Sequence, residues 1–501
     1  MGITRKEISL DFNNFPKIQL PKLQLPRLEL PEWLAPKKDL PPLVIGDLRA
    51  AVPIVQGGMG VGISLAGLAA AVAEAGGVGV IAANAIGMIE PDYYADGRAA
   101  DQRALRSEIR RARARTRGVI GVNLMVAVND FHELLQVVVE ERADIVFLGA
   151  GLPLRGIPVA ALRAANVKVV PIVSSGRAAR LIFTHWRKSY GDVPDAVVVE
   201  GPLAGGHLGF KPEQIDDPAF ALERIVPGVI AEVRPFEAEF GRPIPVIAGG
   251  GVYTGADMHR ILRLGARGVQ LGTRFVATDE CDADPRFKEA YVRCRKEDIV
   301  IIKSPVGLPG RAIRNPFLDE VARGARRSFR CPWRCLESCD ARAAAYCISL
   351  ALDNARQGRL DDGFAFAGAN AHRVERIVPV RELVDGLKAE YAAAVEAAAR
   401  SISDEYVRLV ERWKSLKDEY GTALARLGEL RNEYERAWNQ RIARLKKDYE
   451  NAWPEKIAAL RAEYEGAWNE KVAAVREQYE AAVAALEQLR AGGLDLQAEP
   501  R

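Results

Sequence analysis

The 501-residue sequence predicts an α/β protein built on a (β/α)8 TIM barrel, with an extended arm before the barrel and long helices after it. Two observations favour this fold. Eight short apolar runs of strand type occur between residues 52 and 271, and amphipathic or Ala-rich helical patterns separate most of them. The last two runs both end in glycines, which is where a barrel of this kind holds a phosphate. An open doubly wound sheet is the alternative for the same alternation.

The predicted strands are the apolar runs at 52–56, 78–82, 119–125, 144–148, 167–173, 196–200, 245–248 and 268–271. Apolar residues at helical spacing predict helices between them, for example at 65–75, 131–142 and 254–265. The ends of the strands form the catalytic face of such a barrel, so the residues at the ends of these runs are the most informative ones. The glycines at 57–62 lack the G-x-G-x-x-G spacing of a dinucleotide site.

Two glycine loops follow the seventh and eighth runs. Gly249, Gly250 and Gly251 end one run, and Gly272 with Thr273 ends the other. Glycines let backbone N–H groups approach an anion without a Cβ in the way, and the N-terminus of a following helix adds partial positive charge. We therefore expect one phosphate between the loops, and two tight strand exits without a ligand are the alternative.

Three other strand ends carry polar residues or glycines. The first run ends in Gln56 and the glycine loop up to Gly60, whose amides are expected to face a flat ring. Asn123, inside the third run, either hydrogen bonds to a ring edge or is satisfied by the backbone. The sixth run ends at Glu200 and leads to His207 between glycines, a residue able to exchange protons near neutral pH or simply a loop residue.

Five segments in this order resemble the flavin-dependent nitronate monooxygenase (2-nitropropane dioxygenase) family, which also contains flavin-dependent enoyl-acyl carrier protein reductases. The segments are Gln56-Gly-Gly-Met, Gly121-Val-Asn123-Leu-Met, Val199-Glu-Gly-Pro-Leu-Ala-Gly-Gly-His207-Leu-Gly, Ala248-Gly-Gly-Gly and Gln270-Leu-Gly-Thr-Arg. The resemblance covers residues 45–320 and implies an FMN-binding barrel in which His207 is the catalytic residue. The implied FMN contacts are Gln56, Gly57, Gly58, Met59, Asn123, Glu200, Gly205, Gly206, Gly249, Gly250, Gln270, Leu271, Gly272 and Thr273.

The resemblance implies an FMN-dependent oxidoreductase that oxidises alkyl nitronates or nitroalkanes with O2. One alternative is an NAD(P)H-dependent enoyl thioester reductase. An alternative of another class is a flavin-binding scaffold whose helical tail is the functional part.

Four of the six cysteines fall between residues 331 and 347, at Cys331, Cys335, Cys339 and Cys347. The first three are four residues apart, so on one helix they would lie near one face and could share a metal or cluster with the fourth. The spacing matches no familiar zinc ribbon or ferredoxin. Structural thiols on an Ala-rich helix, an iron–sulphur cluster and a zinc ion are the three interpretations.

From about Leu383 the sequence predicts long helices of coiled-coil type. Tyrosines recur every 15 residues from Tyr434 to Tyr479, and tryptophans do so from Trp438 to Trp468. Such a repeat gives an apolar stripe that drifts in the right-handed sense and needs a partner. Pro454 is expected to kink this helix or break it into a hairpin.

The expected segments are an extended arm (1–44), the FMN-binding barrel (45–320), a Cys-containing cap (321–382), the helical tail (383–490) and a flexible end (491–501). Prolines every five residues from 16 to 36, with leucines between them, favour an arm lying along another surface; a disordered linker is the alternative. The arm and tail are therefore expected to build a homo-oligomer.

A net charge of +4 spread along the chain gives no indication that the protein binds nucleic acid. No apolar run is long enough for a membrane span and no signal core follows Met1, so a cytoplasmic protein that acts on a small molecule is expected.

Overall fold

The computed structural model describes residues 39–331, 333–448 and 453–492. The described residues up to Ala398 form one compact unit, and those from Ala399 onwards belong to a second unit. The prolines expected to form the arm lie outside the described residues, and so does the end of the chain after Gly492.

A closed barrel of eight parallel strands forms the centre of the first unit, which confirms the predicted (β/α)8 fold and excludes an open sheet. Each strand lies within two residues of its predicted position. The first and seventh begin one or two residues late, after Pro53 and Pro245, which have no N–H to donate to a neighbouring strand. In order around the barrel the strands are β3 (Ile54–Gln56), β4 (Val78–Ala82), β5 (Val119–Met125), β6 (Ile145–Gly149), β7 (Lys168–Val173), β8 (Val197–Glu200), β10 (Val246–Gly249) and β11 (Gly268–Leu271).

Helices cover the outside of the barrel because each presents an apolar face at helical spacing. In α3, for example, Leu134, Leu135 and Val138 are buried. The helices between strands and directly after them are α1 (Ala66–Glu74), α2 (Gly97–Arg115), α3 (Phe131–Glu140), α4 (Val159–Ala164), α5 (Gly176–Tyr190), α6 (Leu222–Phe240), α7 (Gly255–Arg263), α8 (Thr273–Val276) and α9 (Pro285–Val292).

A hairpin closes the barrel at the end where the strands begin. Its strands are β1 (Leu43–Ile45) and β2 (Leu48–Ala50), joined by a turn in which Gly46 has φ +59°. Leu43 and Ile45 are buried among the residues that the strands point inward. Leu43 and Val44, at the end of the expected arm, belong to this hairpin.

A small antiparallel sheet stands at the opposite end of the barrel. Its central strand β13 (Pro309–Ile313) pairs with β12 (Ile299–Lys303) on one side and with β9 (Gly206–His207) on the other. The sheet thus connects the segment after the barrel with the loop that carries His207. Helices α10 (Pro316–Ala322) and α11 (Ile348–Arg356) follow.

Two long helices complete the described chain, α12 (Val380–Asp448) and α13 (Trp453–Gly492). Pro454, where a kink or a break is expected, lies in the first turn of α13, a position at which its missing N–H costs nothing. Within the second unit Tyr464 contacts Tyr434 and Trp438 edge to face, with ring centroids 5.4 and 5.5 Å apart. The two helices therefore pack against each other.

Within the described ranges, no helix combines the length and apolar character that a membrane span requires.

Candidate active site

A pocket of about 300 Å³ opens at the carboxyl ends of the barrel strands. Of the residues that the sequence predicted for a flavin site, its lining contains Gly57, Gly58, Met59, Asn123, Glu200, Gly205, Gly206, His207, Gly250, Gln270, Leu271, Gly272 and Thr273. Segments more than 200 residues apart in the chain therefore meet in one cavity, because parallel strands all end on this face.

The glycine loop after β10 has a backbone that only glycine adopts readily. Gly250 has φ +89° and Gly251 has φ +106°. A Cβ on Gly250 would lie 2.6 Å from the carbonyl oxygen of Gly201. Within the described part of the chain, the N–H groups of Gly250 and Gly251 donate to no protein acceptor. This loop thus offers free amides beside the pocket, as an anion requires.

Both glycine loops are held by one segment from much later in the chain. The Gly368 N–H donates to Thr273 Oγ1 at 3.1 Å, and Asn370 Nδ2 donates to the Gly251 carbonyl at 2.8 Å. Both partners lie about 100 residues beyond the loops that they join. No local pattern marks residues 366–370, so only the folded chain shows that they cover this side of the pocket.

Asn123 faces the pocket without a protein partner. Among the described residues none hydrogen bonds with its side chain, so the structure does not support the alternative of an amide satisfied by backbone. A Cβ on Gly58 would collide with Asn123. Gly58 therefore lets the first loop lie directly on Asn123, and the amide is left to bind a ligand.

Two predicted contact residues do not reach the pocket lining. Gln56 is fully buried, where its Oε1 accepts from the Val80 N–H at 2.9 Å and its Nε2 donates to the Gly57 carbonyl. Gly249 is the last residue of β10, and a Cβ there would lie 3.1 Å from Gln270 Cβ. Both residues lie behind the pocket wall, whereas the residues that follow them in the chain, Gly57 and Gly250, line the pocket.

His207 lies at the edge of the pocket with two partners from later in the chain. Its Nε2 is 2.7 Å from Ser304 Oγ, and its ring contacts the Phe366 ring edge to face with centroids 5.0 Å apart. Burial lowers the pKa of His207 to about 4. The imidazole is therefore neutral at physiological pH and can accept a proton.

The loop that carries His207 is fixed by a buried arginine. Arg311 Nη1 donates to the carbonyls of Pro202 and Ala204, at 2.5 and 2.6 Å. Burial lowers the pKa of Arg311, yet guanidinium remains charged at all physiological pH values. Arg311 and Ser304 belong to the small antiparallel sheet and its turn, a stretch that no local pattern in the sequence connects with the pocket.

Glu200 adds a second titratable group to the pocket wall. Burial raises the pKa of its carboxyl group to about 7. The carboxyl is thus part protonated at neutral pH, so the pocket gains or loses one negative charge in this range.

The cysteine segment does not form the predicted helix. The described residues from 323 to 347 are loops and turns, and their backbone bonds reach another loop: Asn129 N–H donates to the Cys335 carbonyl at 3.0 Å, and Glu337 N–H to the Ala127 carbonyl at 2.9 Å. Pro332 also lacks the N–H that a helix uses. In the described ranges, no group of three or more His, Cys, Asp or Glu side chains is placed to hold a metal ion. The metal-binding role of the cysteines stays a prediction.

Comparison with known proteins agrees with this geometry. The sequence profile of the family described as nitronate monooxygenase matches residues 43–135 and 116–390. The chain is 27% identical over 274 residues to the (3aS,4S,5R,7aS)-5-hydroxy-7a-methyl-1-oxo-octahydro-1H-indene-4-carboxyl-CoA dehydrogenase of Mycobacterium tuberculosis. That match covers 55% of this chain and 66% of the relative, just under two thirds of its length.

Two solved structures resemble the fold over more of their length. FabK from Thermotoga maritima has a TM-score of 0.54 and 29% identity, over 69% of this chain and 94% of that one. Nitroalkane oxidase from Streptomyces ansochromogenes has a TM-score of 0.54 and 26% identity, over 71% of this chain and 98% of that one. The family profile spans more than half of the sequence and covers every strand of the barrel and the whole pocket. This chain therefore belongs to the nitronate monooxygenase family of flavin-dependent oxidoreductases.

Proposed function

We propose that this protein oxidises alkyl nitronates and nitroalkanes with O2, using FMN held in the barrel pocket. The observation that carries the proposal is a neutral His207 at the edge of a pocket whose glycine loops offer unpaired amides. The first feature suits removal of a proton next to a nitro group, and the second suits a flavin that ends in a phosphate.

The residues of the pocket fit FMN. Gly250, Gly251, Gly272 and Thr273 would hold the phosphate, since their side of the pocket is formed by backbone amides and a hydroxyl. The Gly57 to Met59 loop and the free amide of Asn123 would hold the ring. Bound there, FMN would accept two electrons from the substrate and pass them to oxygen.

His207 would act as the base for nitroalkanes. To accept a proton at Nδ1, the imidazole must carry its own proton on Nε2, where it donates to Ser304 Oγ. Ser304 thereby orients the ring and sets its tautomer. A nitronate has already lost the proton, so its oxidation needs the pocket and the cofactor more than the base.

Arg311 would keep this base in place. Its two hydrogen bonds to the 202–204 loop hold the segment between β8 and β9, and β9 contains His207. Closure of the pocket by Phe366 against the His207 ring excludes water from one side of the imidazole.

An NAD(P)H-dependent enoyl thioester reductase is the second candidate. The observation that favours it is a pair of arginines that both contact the Tyr253 ring: the guanidinium carbons of Arg274 and Arg373 are 4.5 and 4.3 Å from the ring centroid. Among the described residues neither arginine forms a salt bridge, and Arg274 lines the pocket. Two free positive charges suit the phosphates of a thioester carrier or of NAD(P)H.

A scaffold whose barrel does no chemistry is the third candidate. The neutral histidine, its serine partner and the open pocket favour an enzyme over this alternative. We also propose that the long helices assemble copies of this chain, because the regular repeat of tyrosines and tryptophans gives them a long apolar stripe suited to packing against further helices.

Steady-state oxygen consumption tests the proposed function. Purified protein reconstituted with FMN should consume oxygen with propyl-2-nitronate and, more slowly, with 2-nitropropane. His207→Asn should lower kcat/KM for 2-nitropropane about 10²- to 10⁴-fold, the usual cost of losing a general base, and should affect the nitronate much less. Flavin content measures whether the variant is intact. Equal losses with both substrates would contradict the assignment of His207 as base.

A further inference from the structure

Three aliphatic side chains from beyond the barrel form one wall of the pocket. They are Leu336, Ile348 and Leu352, together called the apolar wall, and they are only 3, 4 and 7% exposed. Ser349 also belongs to the lining, but its Oγ is 3.8 Å from Cys335 Sγ, a thiol outside the lining. The wall therefore presents hydrocarbon to the pocket, and the one hydroxyl group beside it has a partner elsewhere.

Contacts at both ends fix the apolar wall in position. Leu336 forms a β-bridge with Val128, in the loop that follows β5. Helix α11 carries the rest of the wall, and the Asp284 N–H donates to the carbonyl of its last residue, Arg356, at 2.8 Å. A closely packed wall does not adapt freely to a ligand, so it distinguishes ligands by the apolar surface that they bring to it.

The apolar wall adjoins the two loops that would hold the flavin ring. Strand β5, whose following loop pairs with Leu336, carries Asn123. Helix α11 touches the loop after β3, since a Cβ on Gly62 would lie 2.6 Å from Arg356 Cδ. A substrate must lie against the ring to be oxidised, so part of it comes next to the wall.

The charged groups of the pocket come from other sides. In the described lining the charged side chains are Glu200, at the end of β8, and Arg274, directly after β11. His207, which would take the proton next to the nitro group, lies in β9. The anionic end of a nitronate is therefore best placed on the barrel side, and its alkyl group is left to face the wall. Each CH2 group buried there should strengthen binding roughly fourfold.

We propose that the apolar wall makes the enzyme prefer nitronates with a longer alkyl chain over ethyl and propyl nitronate. This inference rests on the proposed nitronate oxidation and adds which substrates the pocket favours. Leu336, Ile348 and Leu352 are then the residues that determine chain-length specificity, whereas His207 acts on every nitroalkane alike. A short substrate leaves the wall without a partner and loses the free energy of burying that surface.

Steady-state kinetics of the FMN-loaded, full-length protein with ethyl, butyl and hexyl nitronate test this assignment. In the wild type, kcat/KM should rise roughly fourfold with each CH2 group, or about 10²-fold from ethyl to hexyl nitronate. Leu352→Ala should lower this hexyl-to-ethyl ratio about tenfold, and the milder Ile348→Val about two- to fourfold, because both remove apolar surface from the wall.

Leu318→Ala is the matched control. Leu318 is 6% exposed and lies in α10, outside the pocket lining, so the variant loses the same atoms from an equally buried site. It should keep the wild-type ratio. The flavin content of each variant shows whether the barrel is intact, and Ile348→Val carries the test if Leu352→Ala does not fold.

Binding of straight-chain alkanoates separates this inference from the proposed function. An alkanoate carries the charge of a nitronate but is not oxidised, and titration into the oxidised enzyme, followed by flavin absorbance, gives its Kd. The Kd should fall steadily from propanoate to heptanoate in the wild type and in Leu318→Ala, and much less in Leu352→Ala.

A hexyl-to-ethyl ratio near one in the wild type, or an equal fall of this ratio in Leu318→Ala, would contradict the role of the apolar wall and leave nitronate oxidation intact. Chain-length-dependent binding of alkanoates to a protein that oxidises no nitronate would support the wall and contradict only the proposed function. Binding that is independent of chain length in such a protein would contradict both.

Discussion

His207 Nε2 lies 2.7 Å from Ser304 Oγ, although the two residues are 97 positions apart in the chain. The pairing of β9 with β13 sets this distance, because His207 lies opposite Gly310 in the register of the small sheet. Ser304 is buried, and its N–H donates to the Leu308 carbonyl at 3.0 Å, which fixes the turn between β12 and β13. The orientation of the base thus depends on a hairpin outside the barrel.

Ser304→Ala should lower kcat/KM for nitroalkanes about 5- to 10-fold, which corresponds to the loss of about 1 to 1.4 kcal/mol from one hydrogen bond. Ser304→Thr keeps the hydroxyl group and should recover most of the activity. Flavin content should be unchanged in both, since Ser304 does not line the pocket. A loss of activity in the alanine variant that threonine fails to restore would show that packing, rather than the hydrogen bond, is what matters.

Glu200 should give the enzyme a pH dependence near neutrality. Its raised pKa of about 7 means that the carboxyl is neutral below this pH and negative above it. A nitronate is an anion, so kcat/KM for preformed propyl-2-nitronate should fall by roughly tenfold as pH rises through 7, for a repulsion of about 1.4 kcal/mol.

Glu200→Gln should remove this pH dependence and keep the higher, low-pH activity. Glu213→Gln, at an exposed position outside the pocket, is the matched control and should behave like the wild type. His207 should not contribute to the profile between pH 6 and 8, because its pKa of about 4 leaves it neutral throughout. Persistence of the transition in the glutamine variant would assign it to another group.

Gly250→Ala should abolish flavin binding. At φ +89° an alanine is strained by about 1 to 2 kcal/mol, and its Cβ would lie 2.6 Å from the Gly201 carbonyl oxygen. The loop must then move away from the phosphate position. Gly386→Ala is the control, since this exposed helical glycine has open space around it and should bind flavin like the wild type. Absorbance at the flavin bands after gel filtration measures both, and full occupancy in Gly250→Ala would contradict the proposed phosphate site.

The barrel could be predicted closely because each strand is a short apolar run that a proline or glycine delimits. Such runs are set by local chemistry, so the bounds of the strands at 119–125 and 268–271 were predicted to the residue. The glycine loops and Asn123 were found for the same reason, since strand ends in a parallel barrel share one face.

The rest of the site could not be predicted because it depends on contacts between distant segments. Ser304, Phe366 and Asn370 have no local pattern that connects them with a pocket, and only the fold brings them to His207 and Gly251. The cysteine segment shows the opposite error. Its four-residue spacing indicated a helix, but its backbone pairs with the loop at 127–129 and so cannot form one.

Deleting residues 400–501 should lower the oligomeric state and leave FMN bound. The cut lies beside the boundary between the two compact units at 398/399, and no residue of the pocket lining lies beyond it. Light scattering gives the mass, and the flavin-to-protein ratio shows whether the barrel is intact. An unchanged number of copies would mean that the long helices do not assemble this chain.

Anaerobic mixing of the FMN-loaded enzyme with a single reductant tests the central claim most directly. Propyl-2-nitronate should bleach the flavin absorbance within one turnover time, and admission of oxygen should restore it, whereas NADH and NADPH should leave the spectrum unchanged. Rapid bleaching by NADH or NADPH, with recovery on adding crotonyl thioester but not oxygen, would contradict nitronate oxidation and support enoyl thioester reduction.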